Sequence, residues 1–195
     1  MPYIKQSDRE KYTKQITEAV EQIILGPEPD HIKGELFGYW ANRLVKKYVQ
    51  DPRAEDQTFN SSGFNKDKVT KVSANADRLA VLIGASSPTE TAGDLNFCLS
   101  AVYWGILGDD PRVKDARYGM RAYLKGILHK IMESVTSRST GSQSDAAMSF
   151  RRHLVAKGVL SDVMDEAYAR KTRIYEDGKI RENGDLWNSW NEGSP

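Results

Sequence analysis

Apolar residues recur every three or four positions along most of the chain, which is the spacing of one face of an α-helix. The pattern predicts helices over residues 11–25, 36–48, 66–83, 93–107, 111–135, 146–156 and 159–171. Ser7 and Asp8 are expected to cap the first helix, and Gly26 with Pro27 to end it. No segment alternates between apolar and polar residues for more than a few positions, so the sequence predicts an all-α helical bundle of about seven helices.

The centre of the predicted bundle is the segment 93–135, where two helical patterns meet at a short turn. Gly108 suits the left-handed position that closes a helix, and Pro111 suits the first turn of the next one. Two helices with so short a connection are expected to pack as a central antiparallel hairpin.

A chain of 195 residues suits one domain, and we expect a single helical domain over 1–195. Residues 51–65 show no periodicity, and 136–144 are small and polar, so both segments are expected to be flexible loops. Residues 186–195 are expected to form a polar tail.

Two segments of the sequence echo each other, one starting at Gly34 and the other at Gly93. Each reads glycine, acid, leucine and then an aromatic-rich helix. This similarity is consistent with a repeated helical hairpin. It is equally consistent with two helix starts that place an acid near the positive end of the helix dipole, which is the interpretation we prefer at this point.

Composition excludes several classes of protein. The formal net charge of +1 argues against binding to extended nucleic acid, which needs a clear cationic excess. Cys98 is the single cysteine, so the chain can form neither an internal disulfide nor a cysteine zinc site. The N-terminus lacks an apolar signal core, and no window approaches the ~18 apolar residues of a membrane span. We therefore expect an intracellular, cytoplasmic protein with no membrane partner.

Four short motifs follow one another along the chain. They are MPYI with Arg9, the GDLNF segment 93–97, the pair Arg117-Tyr118 with residues 126–128, and a closing motif of Arg170-Lys171, residues 175–177, Lys179 and residues 182–185. In this order they resemble the opening, the GELNY motif, the middle helix and the closing RR…YEDxKxxENGD motif of a family of small uncharacterised tailed-phage proteins.

The resemblance covers the N-terminus, residues 93–133 and residues 168–187. The chain departs from the family at Ile174, where the family tends to have proline, and at His129 and Met132, where it tends to have glutamate and lysine. It also has extra residues near 50–75 and 136–165. The resemblance implies a viral origin, a helical fold and a location in the host cell, and it brings no established activity and no catalytic residues.

Basic residues recur every four positions on the predicted middle helix, so Arg117, Arg121 and Lys125 share one face. Tyr118 lies beside them in sequence, and the preceding helix contributes Trp104. Arginine binds phosphate through two parallel hydrogen bonds, and aromatic rings stack on bases, so these residues suit a small phosphate-bearing nucleotide. The alternative is a solvated helix face whose cations pair with nearby acids.

A second basic cluster comprises Arg151, Arg152, His153 and Lys157, with Arg170 further along the chain. Arg151 and Arg170 are predicted as further ligand contacts. Exposed basic residues on an ordinary helix are the alternative explanation.

These patterns favour a phage protein that binds and sequesters a small nucleotide-type immune signal, without cofactor, metal or turnover. A different class, a magnesium-dependent all-α nucleotide pyrophosphohydrolase, would use acids spaced three or four apart on two helices. Its candidate residues are Glu18, Glu21, Asp162, Asp165 and Glu166. A structural or interaction protein of the phage is the third alternative.

Aromatic residues are denser in the second and fourth predicted helices than a small bundle needs for its interior. They are Phe37, Tyr39, Trp40, Phe97, Tyr103 and Trp104, to which the terminal Trp187 and Trp190 add. We therefore predict a homo-oligomer, with a two-fold dimer as the commonest form of assembly.

Overall fold

The computed structural model describes residues 6–50, 65–84, 88–107, 143–169, 177, 178 and 181. All regular secondary structure in these ranges is helical, which confirms the all-α class. The helices are α1 (Gln6–Ile23), α2 (Asp30–Tyr48), α3 (Lys66–Ile83), α4 (Pro88–Leu107) and α5 (Gln143–Ala167). Residues 111–135 lie outside the described residues, so the central hairpin and the count of seven helices stay predictions. The same holds for the loop at 51–64 and the tail at 186–195.

The bounds of α3 agree with the predicted 66–83, because both ends carry clear local signals. The Asn65 side chain accepts a hydrogen bond from the backbone N–H of Asp67 at 2.9 Å, which satisfies a donor that the first turn leaves open. At the other end Gly84 has φ of 76°, a left-handed conformation that glycine adopts without strain.

The starts of α1, α2 and α4 differ from the predictions. α2 begins at Asp30, whereas the sequence predicted a start at residue 36 after a polar link. α1 begins at Gln6, so Ser7 and Asp8 lie inside the helix, and the predicted cap is wrong. α4 begins at Pro88, several residues before Gly93. Proline lacks the N–H that a first turn leaves unpaired, so the polar residues after Pro88 form a helical turn where a loop was expected.

α5 is one continuous helix of 25 residues, whereas the sequence predicted two helices separated at Gly158 and a loop extending to residue 144. A glycine inside a helix costs about 1 kcal/mol relative to alanine. Apolar residues on both sides of Gly158 outweigh that cost, since each contributes about 1.5–3 kcal/mol when buried. These residues are Ala156, Val159, Leu160 and Val163.

Contacts between side chains fix the direction of each helix. α1 runs antiparallel to α3, and α2 runs antiparallel to α4. The contacts that establish these directions are Glu18 with Arg78, Glu28 with Lys68, Phe37 with Tyr103 and Tyr48 with Thr91.

The remaining neighbours are parallel. α2 and α3 run in the same direction, and so do α1 and α4. The contacts are Tyr39 with Ser73, Arg43 with Asp77, Tyr12 with Phe97, and Gly105 with Val20, where an added Cβ would lie 2.8 Å from Cγ2 of the valine.

These directions have the pattern of a pseudo-two-fold axis. We call α1 with α2 the first hairpin and α3 with α4 the second. A shift of about 60 residues along the sequence relates them, because it takes residues 6 and 23 of α1 to 66 and 83 of α3, and Gly34 of α2 to Gly93 of α4. Exchanging the two hairpins turns the parallel α1–α4 contact into the parallel α2–α3 contact. The arrangement supports the interpretation of the similar segments as a repeated helical hairpin, over that of two unrelated helix starts.

The parallel packing of α2 and α3 also gives a geometric reason for the separation of these two helices in sequence. The end of α2 and the start of α3 lie at opposite ends of the pair, about 28 Å apart for a helix of 19 residues. Any connection between parallel neighbours has to cover that length.

The core lies between the four repeat helices and the inner face of α5. Its largest fully buried side chains are Tyr12, Ile23, Leu36, Phe37, Trp40, Leu44, Leu79, Leu95 and Leu99. Trp40 and Leu99 occupy equivalent positions in the two hairpins, and both are completely buried. The pseudo-axis therefore passes through the centre of the apolar core.

A buried amide joins three of the helices. The Asn75 side chain of α3 is fully buried, and its Oδ1 accepts a hydrogen bond from Trp40 Nε1 of α2 at 2.9 Å. Its Nδ2 donates to the Gln15 carbonyl and to Glu18 Oε2 of α1, at 2.9 and 3.2 Å. Arg78 donates to the same carboxylate oxygen of Glu18 at 2.6 Å. Every polar atom of the amide therefore has a partner, as a buried polar group requires.

Replacing Asn75 with alanine should lower the free energy of unfolding by about 2–3 kcal/mol, because the Trp40 N–H would be left buried without its partner and the hydrogen bonds to Gln15 and Glu18 would be lost. Ser73→Ala, two residues away on the same helix, is the matched control and should cost about 0.5–1 kcal/mol, since it removes one part-buried hydrogen bond to Tyr39. Urea unfolding monitored by circular dichroism measures both values. Equal stabilities of the two variants would contradict this account of Asn75.

Acid should weaken the α1–α3 contact. The hydrogen bond from Arg78 lowers the pKa of Glu18, with help from Asn75 and against the effect of burial, from an ordinary value of 4.5. A carboxyl whose pKa is depressed on folding stabilises the protein above its unfolded pKa, and this stabilisation is lost as the pH falls through the folded pKa. The difference in unfolding free energy between the parent and Glu18→Gln should therefore shrink as the pH falls below 4.5. Glu21→Gln, an exposed change on the same helix, should show no such trend.

Candidate functional site at the junction of α2, α4 and α5

Two of the seven predicted ligand contacts, Trp104 and Arg151, lie among the described residues. Trp104 is partly buried, and its ring meets that of the buried Tyr103 edge-on, with centroids 5.9 Å apart. Arg151 is exposed on α5. The other five lie outside the described residues, and their role as contacts stays a prediction. They are Arg117, Tyr118, Arg121, Lys125 and Arg170.

The aromatic residues of α2 and α4 are largely accounted for inside one subunit. Phe37, Trp40 and Tyr103 belong to the buried core, and Tyr39, Phe97 and Trp104 pack against it. Their number therefore gives no independent reason for an oligomer, and the predicted dimer needs support from another surface.

Neighbouring residues of the second basic cluster face different ways. Arg151 is exposed, Arg152 is half-buried, and His153 is 2% exposed. The Nε and Nη1 atoms of Arg152 are buried. Successive residues of a helix are about 100° apart, so a basic run divides between the outer and inner faces of α5.

The inward side of α5 packs on α4, and its Arg152 acts electrostatically on Tyr48 at the end of α2. Here the Tyr48 hydroxyl accepts a hydrogen bond from Thr91 Oγ1 at 3.2 Å. Burial raises the pKa of Tyr48; the hydrogen bond from Thr91 and the positive charge of Arg152 oppose the rise, and the negative charge of Asp94 adds to it. The junction site is defined here as Tyr48, Thr91, Asp94 and Arg152, and it brings two hydroxyls, a carboxylate and a guanidinium into one electrostatic environment.

The GDLNF motif forms one wall of this region. Gly93 is buried, Asp94 is half-buried, and Asn96 is 6% exposed. The Asn96 Oδ1 atom accepts a hydrogen bond from Ser100 at 3.3 Å, and its Nδ2 atom is buried without a hydrogen-bond partner. The motif that carries the resemblance thus places its acid at the junction site and its amide in the interior.

Sequence reasoning did not single out Tyr48 or Thr91 and named Arg152 only as part of a basic run. Tyr48 looked like one more apolar position of α2, and Thr91 fell in a predicted turn. The signal available in the sequence was the spacing to Ala156. Arg152 and His153 precede this residue by four and three positions and so share its face of α5, and Ala156 is buried in the core.

The acids of the pyrophosphohydrolase alternative have different environments. The Glu18 carboxylate is bound by Arg78 and Asn75, while Glu21, Asp162 and Asp165 are exposed. No group of three or more histidine, cysteine, aspartate or glutamate side chains placed to hold a metal ion occurs in the described ranges.

A shallow cleft of about 350 Å³ opens between α1 and α3. Its lining residues are Gln15, Asp77, Arg78, Val81 and Leu82. The charged groups at its edge already have partners, because Asp77 binds the Arg43 guanidinium through both carboxylate oxygens, at 2.8 and 2.7 Å. Arg78 likewise binds Glu18. The charged groups that line this cleft are therefore engaged within the subunit.

Comparison with protein-family models, with curated proteins and with solved structures finds no match to this chain. Among the described helices, none combines the length and the apolar character that crossing a bilayer requires.

Cys98 should be unreactive in the folded protein. Its side chain is completely buried on α4, and burial raises the pKa of the thiol well above its usual range, with the Asp94 charge adding to the rise and Lys11 opposing it. Since the thiolate is the reactive form, Ellman's reagent should titrate no thiol in the native protein and one thiol per chain in denaturant. Rapid labelling of the native protein would contradict the burial of Cys98.

Proposed function

We propose that the protein binds and sequesters a small phosphate-bearing nucleotide without turning it over, and that the junction site is where the nucleotide binds. The observation that carries the proposal is the inward-facing guanidinium of Arg152 beside the Tyr48 and Thr91 hydroxyls and the Asp94 carboxylate. The resemblance to phage proteins suggests that the ligand is a nucleotide-type signal of host immunity, captured in the host cytoplasm.

Arg152 supplies the charge that a phosphate needs. Arginine stays protonated and binds phosphate oxygens through two parallel hydrogen bonds, and each charge-assisted bond is stronger where water is excluded. Its Nε and Nη1 atoms are buried, so their local dielectric is low. Thr91 lies in the first turns of α4, where the positive end of the helix dipole also favours an anion.

Asp94 makes the junction site suitable for a nucleotide in particular, as opposed to inorganic phosphate. A carboxylate only accepts hydrogen bonds, and the ribose hydroxyls and the amino groups of a base donate them. Tyr48 has a raised pKa and so keeps its proton at neutral pH, which leaves its hydroxyl able to donate to a phosphate oxygen. Arg152 and Asp94 both act on the pKa of Tyr48, so the junction site offers a cation for the phosphate and a carboxylate for the ribose or the base.

Capture is favoured over cleavage by the state of the acids. Glu18, which the pyrophosphohydrolase alternative needs as a metal ligand, is bound to Arg78 at 2.6 Å. Arg117, Tyr118, Arg121, Lys125 and Arg170 stay predicted contacts of the same ligand, and Trp104 and Arg151 are predicted contacts whose positions on α4 and α5 are now known.

The purified protein should be incubated with cyclic dinucleotides, cyclic ADP-ribose isomers and nucleoside triphosphates, then washed and denatured by heat. Recovery of an intact nucleotide supports capture. Recovery of a cleavage product that forms only with magnesium would overturn the capture proposal and support the pyrophosphohydrolase alternative. If no nucleotide is retained, the remaining alternative is a structural or interaction protein.

Arg152→Ala should lower the affinity for the retained nucleotide by about ten-fold to a hundred-fold, which corresponds to the loss of one charge-assisted hydrogen bond of roughly 1.5–3 kcal/mol. Tyr48→Phe, which keeps the ring and removes only the hydroxyl, should weaken binding by a smaller factor. Isothermal titration calorimetry measures both affinities, and melting temperatures show that the variants are folded.

Lys71→Ala removes an exposed cation of α3 and is the matched control, with parental affinity expected. Arg151→Ala tests whether the nucleotide also reaches the outer face of α5. Parental affinity in folded Arg152→Ala and Tyr48→Phe would rule out the junction site.

A further inference from the structure

The outer face of α5 has the features of a contact surface. Two of the four large apolar side chains that are exposed in the described ranges lie here, one turn apart, namely Phe150 at 49% and Leu154 at 45%. The face continues through Gly158 to Asp165, with Arg151 at its other end. We call these five residues, together with the exposed Asp162, the α5 outer face.

The spacing along this face is that of a helix that packs against another helix. Arg151, Leu154, Gly158 and Asp165 are separated by three, four and seven residues, the alternation of three and four that keeps a seam facing a partner helix. The buried residues of α5 occupy the opposite side, where they contact the core. The outer face is therefore a second helix-packing surface that the described part of the subunit leaves uncovered.

Gly158 lies in the middle of the face and has no role inside the subunit that requires glycine. A Cβ built there meets no atom within 4 Å, and its φ is in the ordinary range. Alanine would fit without strain and favours a helix more than glycine does. A glycine in an exposed helix interior does, however, allow the backbone of a second helix to approach closely.

Two of the three charges of the face, Arg151 and Asp165, are arranged in a self-complementary way. Arg151 and Asp165 lie equally far from Gly158, seven residues to either side, or about 10 Å along the helix axis. Neither side chain takes part in an ion pair or hydrogen bond within the described part of the subunit.

We propose that the α5 outer face binds a second copy of this chain, with the two α5 helices antiparallel and crossing at Gly158. A two-fold axis at Gly158 places Arg151 of each subunit opposite Asp165 of its partner, so that the pair forms twice. Parallel pairing would instead place Arg151 against Arg151 and Asp165 against Asp165. The charges therefore select both the partner and the orientation. The inference does not depend on nucleotide binding.

Light scattering after size exclusion should give the mass of two chains at micromolar concentration. Arg151→Glu and Asp165→Arg each replace two attractions with two repulsions, and each should raise the dimer dissociation constant by about a hundred-fold. The double variant, Arg151→Glu with Asp165→Arg, restores opposite charges across the axis and should dimerise like the parent. Lys71→Glu, which changes an exposed residue of α3, is the control and should leave the dimer intact.

A second measurement tests the crossing point directly. Gly158→Cys should form a disulfide with its own copy under mild oxidation, whereas Val81→Cys, on the most exposed apolar side chain of α3, should not. If light scattering gives the unmodified protein the mass of one chain, the proposal is overturned. A dimer that the single charge reversals do not weaken, or that Gly158→Cys does not cross-link, would assign the interface to another surface and would overturn it as well.

Discussion

The amide of Asn75 is the interaction on which the arrangement of the first three helices depends. It is completely buried, and it can be satisfied only if α1 and α2 approach α3 at fixed heights, one supplying the Gln15 carbonyl and the other the Trp40 N–H. Apolar packing alone tolerates sliding by a residue or more, because it has no direction. A buried amide does not tolerate it, since each broken hydrogen bond costs its full desolvation penalty. Asn75 therefore sets the register of the bundle, and the apolar core supplies most of its stability.

The pseudo-two-fold axis explains why one polar network is enough. The two hairpins pack through equivalent surfaces, so fixing the height of α1 against α3 also limits the height of α2 against α4. Glu18 and Arg78 occupy equivalent positions in the two halves and bind each other across the axis at 2.6 Å. The two equivalent positions carry opposite charges, so the contact across the pseudo-axis is an attraction, whereas identical residues there would repel each other.

Apolar spacing alone predicted the bounds of α3 and the buried faces of α1 to α4. Signals with two meanings caused the errors: glycine often ends a helix, but Gly158 lies inside one, and Pro88 starts a helix where the surrounding residues suggest a turn. Partners distant in sequence could not be predicted, because neither Trp40 with Asn75 nor Tyr48 with Thr91 leaves a periodic trace. The spacing to Ala156 could have predicted that the Arg152 side chain faces the core and that the Arg151 side chain faces away from it.

The repeat also shows why the junction site should occur once in each chain. The shift of 59 residues that relates Gly34 to Gly93 makes Ile32 equivalent to Thr91 and Tyr48 equivalent to Leu107. The opposite end of the α2–α4 pair therefore has Ile32 and Leu107 in place of the two hydroxyls, and only the acid persists, as Glu35 in place of Asp94. α5 adds to this asymmetry, because it packs on α4 and brings Arg152 to one end alone. The four helices thus form a pseudo-symmetric body, and the residues that break the pseudo-symmetry are those proposed to bind a ligand. Since Arg152 faces the body and Arg151 faces away from it, a nucleotide held at the junction site would compete with self-association only if it also reached Arg151.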